Sequence, residues 1–422
     1  MVVGLLIVGL FVAAFVGYNI GGSSTGVAFG PAVGSRIVGT VGAAALFTGF
    51  AFWGGWTVGR NVVETMSEGI VPASQFTLEA SIAVLFFAGF ALLISNLFGV
   101  PASTSMTAVG AIVGLGVATD TLDEAEMFVI VSAWIVAPLT AFWLGVIVGR
   151  YLYPHLDARF SFGRIESGLL RLDRSGTVPR PALGEDVTGR NVVGAALVLA
   201  ISCYMAFSAG ASNVANAVAP LVGNGAITID EGIVLAIAAI GLGAFTIARR
   251  TLATIGEGIT DLPILAALVV SVIGATIITV LSRLGIPASL AVSTTSCIIG
   301  LGWGRASRAV TVAEVATSAV QGGDGPDLSA GALVADAEGE VPPGPTVGDI
   351  ATGEADPEPP IEREEAPSSV PPIGEEDAGE LAGEDLFDPA ATARIVVLWI
   401  LSPTLSAVGS YLLFEFVLRT GA

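Results

Sequence analysis

The sequence is poor in charge. Charged residues make up 13% of its 422 positions and hydrophobic ones 53%, whereas soluble globular chains carry about 25% charged residues. Mean hydropathy is +0.81, so an ordinary soluble domain is excluded and an integral membrane protein is expected. Lysine is absent, and all 17 basic residues are arginine. There is one histidine, His155, in a polar stretch, and two cysteines, Cys203 and Cys297, both in apolar runs. Such cysteines read as small hydrophobes rather than as a disulfide or a metal site. No metal-ligand cluster, nucleophile–base pair or phosphate-binding P-loop is present, so neither an enzyme nor a resident cofactor is expected. No nucleic-acid partner is expected either.

The formal charge of −20 is concentrated. Of 37 acidic residues, 20 lie in 309–392, where Arg363 is the one basic residue. That segment is also rich in Pro and Gly and cannot bury a core, so it reads as a disordered acidic insert. An acidic, lysine-free composition suits a halophile, in which carboxylates keep proteins hydrated in high salt.

Apolar runs of spanning length fall near 1–19, 37–58, 77–97, 99–118 and 127–149, and again near 191–209, 232–248, 263–282, 286–304 and 393–418. The first of these lacks a basic leader and reads as a span rather than a signal peptide. The two sets repeat each other in order. "GGSSTGVAFGPAVGS" (21–35) matches "GASNVANAVAPLVGN" (210–224), and "GRNVVETMSEGIVP" (59–72) matches "ARRTLATIGEGITDLP" (248–263). "STSMTAVGAIVGLG" (103–116) matches "STTSCIIGLGWG" (293–304), and "WIVAP" (134–138) matches "WILSP" (399–403). This is an internal duplication. An odd number of spans per half makes the repeats inverted. The expectation is an all-α polytopic membrane protein with two inverted-topology repeats of about five spans each and discontinuous helices or reentrant hairpins.

The division follows: a first repeat over 1–150, an Arg-rich connector over 151–190, the first part of a second repeat over 191–308, the insert over 309–392, and a last span within 393–422. The arginines of the connector place it in the cytoplasm. Both termini then fall outside the cell membrane, and the insert falls inside.

Glycines and hydroxyls where a span should cross lipid pose a question of their own. Backbone that leaves the helix at that depth must face protein or a water-filled site. Such backbone offers carbonyls to a cation and N–H groups to an anion. Close helix contact through small residues is the alternative, but two such segments in matched places favour a site. "GVPASTSMT" (99–107) and "GIPASLAVSTTSC" (285–297) each run Gly, Pro, then hydroxyls opening an apolar segment. Proline suits a helix start and Ser/Thr cap free N–H groups. Ser103, Thr104 and Ser105, with Ser293, Thr294 and Thr295, would form two hydroxyl-lined helix N-termini suited to a tetrahedral oxyanion.

On these motifs the chain resembles the inorganic phosphate transporter (PiT) family, whose two inverted repeats each carry a "GANDVANA"-like and a "P-x-S-T-T-H"-like motif. "GASNVANA" (210–217) is the nearer match, "GGSSTGVA" (21–28) is degraded, and "STSM" (103–106) and "STTS" (293–296) keep the hydroxyls. The resemblance covers both hydrophobic halves and not the insert. It implies a secondary transporter of inorganic phosphate by alternating access, with Na⁺ or H⁺ symport, and it leaves room for a homodimer. Sulfate or another oxyanion on the same fold is the alternative.

Under this reading Ser103, Thr104, Ser105, Ser293, Thr294, Thr295, Ser23, Ser24, Ser212 and Asn213 bind substrate. Asn19, Asn213, Asn216, Glu68 and Glu257 serve the coupling cation. The acids of the family signature are replaced by Ser24 and Asn213, and its histidine by Met106 and Ser296. Loss of the acids removes the obvious Na⁺ ligands and raises the standing of sulfate, which carries no proton to donate. Glu68 and Glu257 are repeat-related and could be cation ligands, proton carriers, gate residues or span ends near water. Arg60 and Arg249 read as snorkelling to the interface.

Overall fold

The structure is a computed structural model that describes residues 2–35, 37–97, 103–159, 170–173, 180–183, 189–247, 264–309 and 389–420. The described residues form ten long helices and one small antiparallel hairpin. In the first half these are α1 (Val2–Gly34), α2 (Thr40–Gly69), α3 (Leu78–Leu97), α4 (Thr104–Ala118) and α5 (Glu124–Arg159). The connector holds β1 (Leu170–Asp173) and β2 (Arg180–Leu183), with Leu170 opposite Leu183. The second half has α6 (Gly189–Gly223), α7 (Ile229–Thr246), α8 (Ile264–Arg283), α9 (Leu290–Ala306) and α10 (Pro389–Thr420).

Eight of these helices are long and apolar enough to cross a membrane. The exceptions are α4 and α9, which correct the expected spans 99–118 and 286–304. At 15 and 17 residues and about 1.5 Å per residue, they reach roughly 25 Å, short of a hydrocarbon core of about 30 Å. Helix α9 starts where Ser289 caps it, its hydroxyl accepting from Val292 N at 3.3 Å.

A second correction concerns the glycine- and hydroxyl-rich segments. Residues 21–34 and 210–223 do not leave the helix: α1 and α6 run through them unbroken for 33 and 35 residues, with Pro31 and Pro220 in their last turns. The glycines serve close helix contact. A Cβ at Gly21 would lie 1.9 Å from the Ile240 carbonyl oxygen, and one at Gly243 would lie 2.1 Å from that of Tyr18. A Cβ at Gly210 would lie 2.0 Å from the Ala51 oxygen, and one at Gly54 would lie 1.9 Å from that of Phe207. Thus α1 crosses α7, and α6 crosses α2, backbone against backbone, as small residues permit within a bilayer. Helix α2 packs along α6 and contains two π turns, Gly55–Gly59 and Thr65–Gly69.

Packing exchanges partners between the halves. Helix α4 lies on α10 and α9 on α5, while α1 lies on α7 and α2 on α6. Helices α1 and α6 meet each other at the centre. The outermost helices are α5 and α10, which present Phe128, Ile135 and Trp143, and Ile400 and Leu412, on their outer faces. An apolar exterior around a core that contains many buried Ser, Thr and Asn residues is the arrangement a lipid-embedded bundle requires.

Candidate functional site

Polar side chains from α1, α4 and α6 converge with the short stretch that leads into α9. The chain enters α9 through Gly285 (φ +77°), a left-handed turn that favours glycine. There a Cβ would press on Thr65 Oγ1 at 2.7 Å. Trp134 Nε1 on α5 donates to the Pro287 carbonyl at 2.8 Å. Thus fixed, the next carbonyl, that of Ala288, accepts from Ser105 Oγ at 3.0 Å and from Ser212 Oγ at 3.1 Å. One backbone oxygen with two lone pairs therefore ties the start of α4 to the middle of α6.

Asn213 and Asn216, one helical turn apart on α6, complete the cluster. Thr104 Oγ1 donates to Asn213 Oδ1 at 2.6 Å, and Asn216 Nδ2 donates to the same oxygen at 3.1 Å. Asn216 Nδ2 also donates to Ser105 Oγ at 3.2 Å, and Asn213 Nδ2 reaches Ser24 Oγ on α1 at 3.5 Å. Ser103, Thr104, Ser105, Ser212, Asn213 and Asn216 are all buried. Two atoms in this neighbourhood have no partner among the described residues: Ser103 Oγ and Asn216 Oδ1. None of the cluster's side chains is charged, and no group of three His, Cys, Asp or Glu able to hold a metal occurs among the described residues.

Seven expected residues thus come together: Ser24, Ser103, Thr104, Ser105, Ser212, Asn213 and Asn216. The others stand differently. Ser23 Oγ turns back to the Asn19 and Ile20 carbonyls of its own helix. Ser293, Thr294 and Thr295 do not open α9 but sit in its second turn, and Thr294 Oγ1 bonds back to Leu290 and Ala291 carbonyls. The reason is that Ser289, four residues earlier, takes the capping position. Asn19 joins α1 to α3, accepting from Asn96 Nδ2 at 3.2 Å on its side-chain oxygen. Glu68 is exposed on the second π turn of α2. Glu257, like Arg249, lies outside the described residues. Arg60 lies over the Trp56 ring and pairs with the exposed Asp230 on α7.

Three participants escaped the sequence reading. Asn96 is a lone amide in an apolar run, a signal that intramembrane polarity could have flagged. Trp134 sits in the repeated "WIVAP" block, but its indole donor role needs the fold. The Ala288 carbonyl is backbone, and only its place after Pro287 hinted at it.

The phosphate transporter family pattern matches residues 20–321. The chain is 33% identical to the sulfate permease CysP of Bacillus subtilis, over 68% of this chain and 74% of that one. It is 24% identical to a Pyrococcus furiosus protein named as a phosphate permease, over 72% of this chain and 89% of that one. Among solved structures, a sodium-dependent phosphate transporter superposes with a TM-score of 0.61 at 17% identity, covering 99% of each chain. With its span-length helices and a match over most of its length, the chain is a multi-pass membrane protein that belongs to the phosphate transporter family.

Proposed function

We propose that this protein carries inorganic phosphate across the cell membrane together with a cation, Na⁺ or H⁺, and that the buried cluster between α4 and α6 is where the anion binds. The observation that carries the reading is the convergence of three hydroxyls, those of Thr104, Ser105 and Ser212, and two amides, from separate elements, around one neutral, buried point. Buried polar groups in a membrane bundle are costly and mark substrate paths. Thr104, Ser105 and Ser212 now donate to protein oxygens, and would turn those protons to the oxyanion on binding. Ser103 Oγ, which has no partner among the described residues, is free to donate at once. The cluster's described side chains are neutral, so a co-bound cation would offset the anion's charge. Asn19 Oδ1, which accepts one hydrogen bond, from Asn96, offers its second lone pair to it.

The exchanged packing of the two halves supports inverted repeats that rock about this centre. The arginine-rich connector supports placing it and the insert inside the cell and both termini outside.

A second reading, sulfate on the same site, is favoured by the 33% identity to a sulfate permease and by Ser24 and Asn213 at the signature's acidic positions. Uptake of labelled phosphate and labelled sulfate by the protein in liposomes, with and without an inward Na⁺ or H⁺ gradient, separates the two. Saturable, gradient-driven phosphate uptake is expected. Sulfate uptake without phosphate uptake would overturn the primary reading and establish the second.

A further inference from the structure

The directions of the hydrogen bonds around Asn216 single out one atom. Ser105 Oγ lies 3.0 Å from the Ala288 carbonyl oxygen. Two acceptors do not sit at that distance in a buried place without a proton between them, so the single hydroxyl proton of Ser105 points at Ala288. Ser105 Oγ can then only accept from Asn216, 3.2 Å away. The amide nitrogen of Asn216 must therefore face Ser105, and its second proton goes to Asn213 Oδ1. That oxygen is already filled, since it also accepts from Thr104. What remains is Asn216 Oδ1, an acceptor whose orientation is fixed by two neighbours, Ser105 and Asn213, in a residue 1% exposed, with no donor among the described residues. A buried acceptor without a donor is unfavourable, and an amide oxygen, unlike the rotatable Ser103 hydroxyl, cannot turn into a donor.

We infer that Asn216 Oδ1 is the specificity-determining acceptor of this site, taking a hydrogen bond from the acidic O–H of a protonated tetrahedral oxyanion. This rests on the proposed phosphate site and adds its selection rule. Hydrogen phosphate and hydrogen arsenate carry an O–H at neutral pH, whereas sulfate and selenate carry none. The first pair satisfies Asn216 Oδ1. The second pair sets a bare oxyanion oxygen against it. Sites built to hydrogen-bond a substrate hydroxyl reject analogues that lack it, because the site's own polar group is then left unpaired. Ser103 has the complementary role: its hydroxyl donates to any of the four anions and so contributes affinity without selectivity.

The experiment is uptake of labelled phosphate and, separately, of labelled sulfate into liposomes containing the full chain, for the wild type, Asn216→Ala and Ser103→Ala, with arsenate, selenate and sulfate as competitors of the phosphate uptake. Arsenate is expected to compete at concentrations near those of phosphate, and selenate and sulfate only at concentrations at least about tenfold higher, the factor one unmatched buried hydrogen bond confers. Asn216→Ala is expected to lower the phosphate-to-sulfate ratio by about tenfold. Ser103→Ala is expected to lower both uptakes with the ratio kept. The inference is overturned if selenate competes as well as arsenate in the wild type, a result that needs no variant to fold. It is also overturned if Asn216→Ala reduces phosphate and sulfate in equal proportion. Uptake of neither anion by the wild type would instead sink the phosphate reading on which the inference stands.

Discussion

The two signature segments, 21–28 on α1 and 210–217 on α6, put their leading glycines to the same use and their polar side chains to opposite uses. Gly21 and Gly210 each bring a neighbouring backbone to within a distance no Cβ could share. Beyond that the segments diverge. On α1, Ser23 and Thr25 donate back to carbonyls of their own helix, Thr25 to Gly21 at 2.8 Å. On α6, Ser212, Asn213 and Asn216 reach outward to α4, to α1 and to the Ala288 carbonyl. A hydroxyl can satisfy itself on its own helix, and an amide with two donors and an acceptor extends to other elements. Duplication therefore supplied the same frame twice. In this chain the second copy kept the amides and with them the polar cluster, while the first copy kept mainly the helix contact.

That comparison can be broken at several points. The largest effect is expected where both copies agree. Gly21→Ala and Gly210→Ala should each cost more than about 3 kcal/mol, beyond ordinary overpacking, since backbone and not a side chain must move. Loss of the monodisperse peak in detergent size-exclusion chromatography would report it. Gly30→Ala, on the same helix but with no described residue within 4 Å of its Cβ, should be tolerated or stabilise by up to about 1 kcal/mol. Next in size, Asn213→Ala should lower phosphate uptake at least about tenfold, because it leaves the protons of Thr104 and Asn216 without their acceptor. Ser23→Ala, which removes a bond internal to α1, should leave uptake within about twofold of wild type. Smallest, Asp230→Asn should shift thermal stability by less than about 1 kcal/mol, since its pair with Arg60 is largely solvent-exposed.

The same two segments show how far the sequence could be read. Hydropathy and duplication marked out the helices, because burial in lipid demands long apolar runs. The repeated hydroxyl cluster put Thr104 and Ser105 on the candidate list, and the resemblance to the family signature added Asn213. The sequence reading misjudged the backbone: the glycines of 21–34 and 210–223 looked like helix breaks, yet in a membrane bundle a tightly apposed helix is a better use of them than a break with unsatisfied N–H groups. It also weighted Ser293, Thr294 and Thr295 by their likeness to Ser103, Thr104 and Ser105, whereas Ser289 caps α9 one turn earlier. The Asn96–Asn19 link and the doubly accepting Ala288 carbonyl were out of reach, since both depend on which helices meet, and one involves no side chain on the accepting side.

The central claim is that the α4–α6 cluster organised by Asn213, and not the hydroxyls of α1, holds the oxyanion. Equilibrium binding of labelled phosphate to the purified protein, compared between Asn213→Ala and Ser23→Ala, tests it most directly. The expected result is affinity lowered at least about tenfold in the first and unchanged in the second. Phosphate binding retained in Asn213→Ala and lost in Ser23→Ala would contradict it and move the site to the first signature.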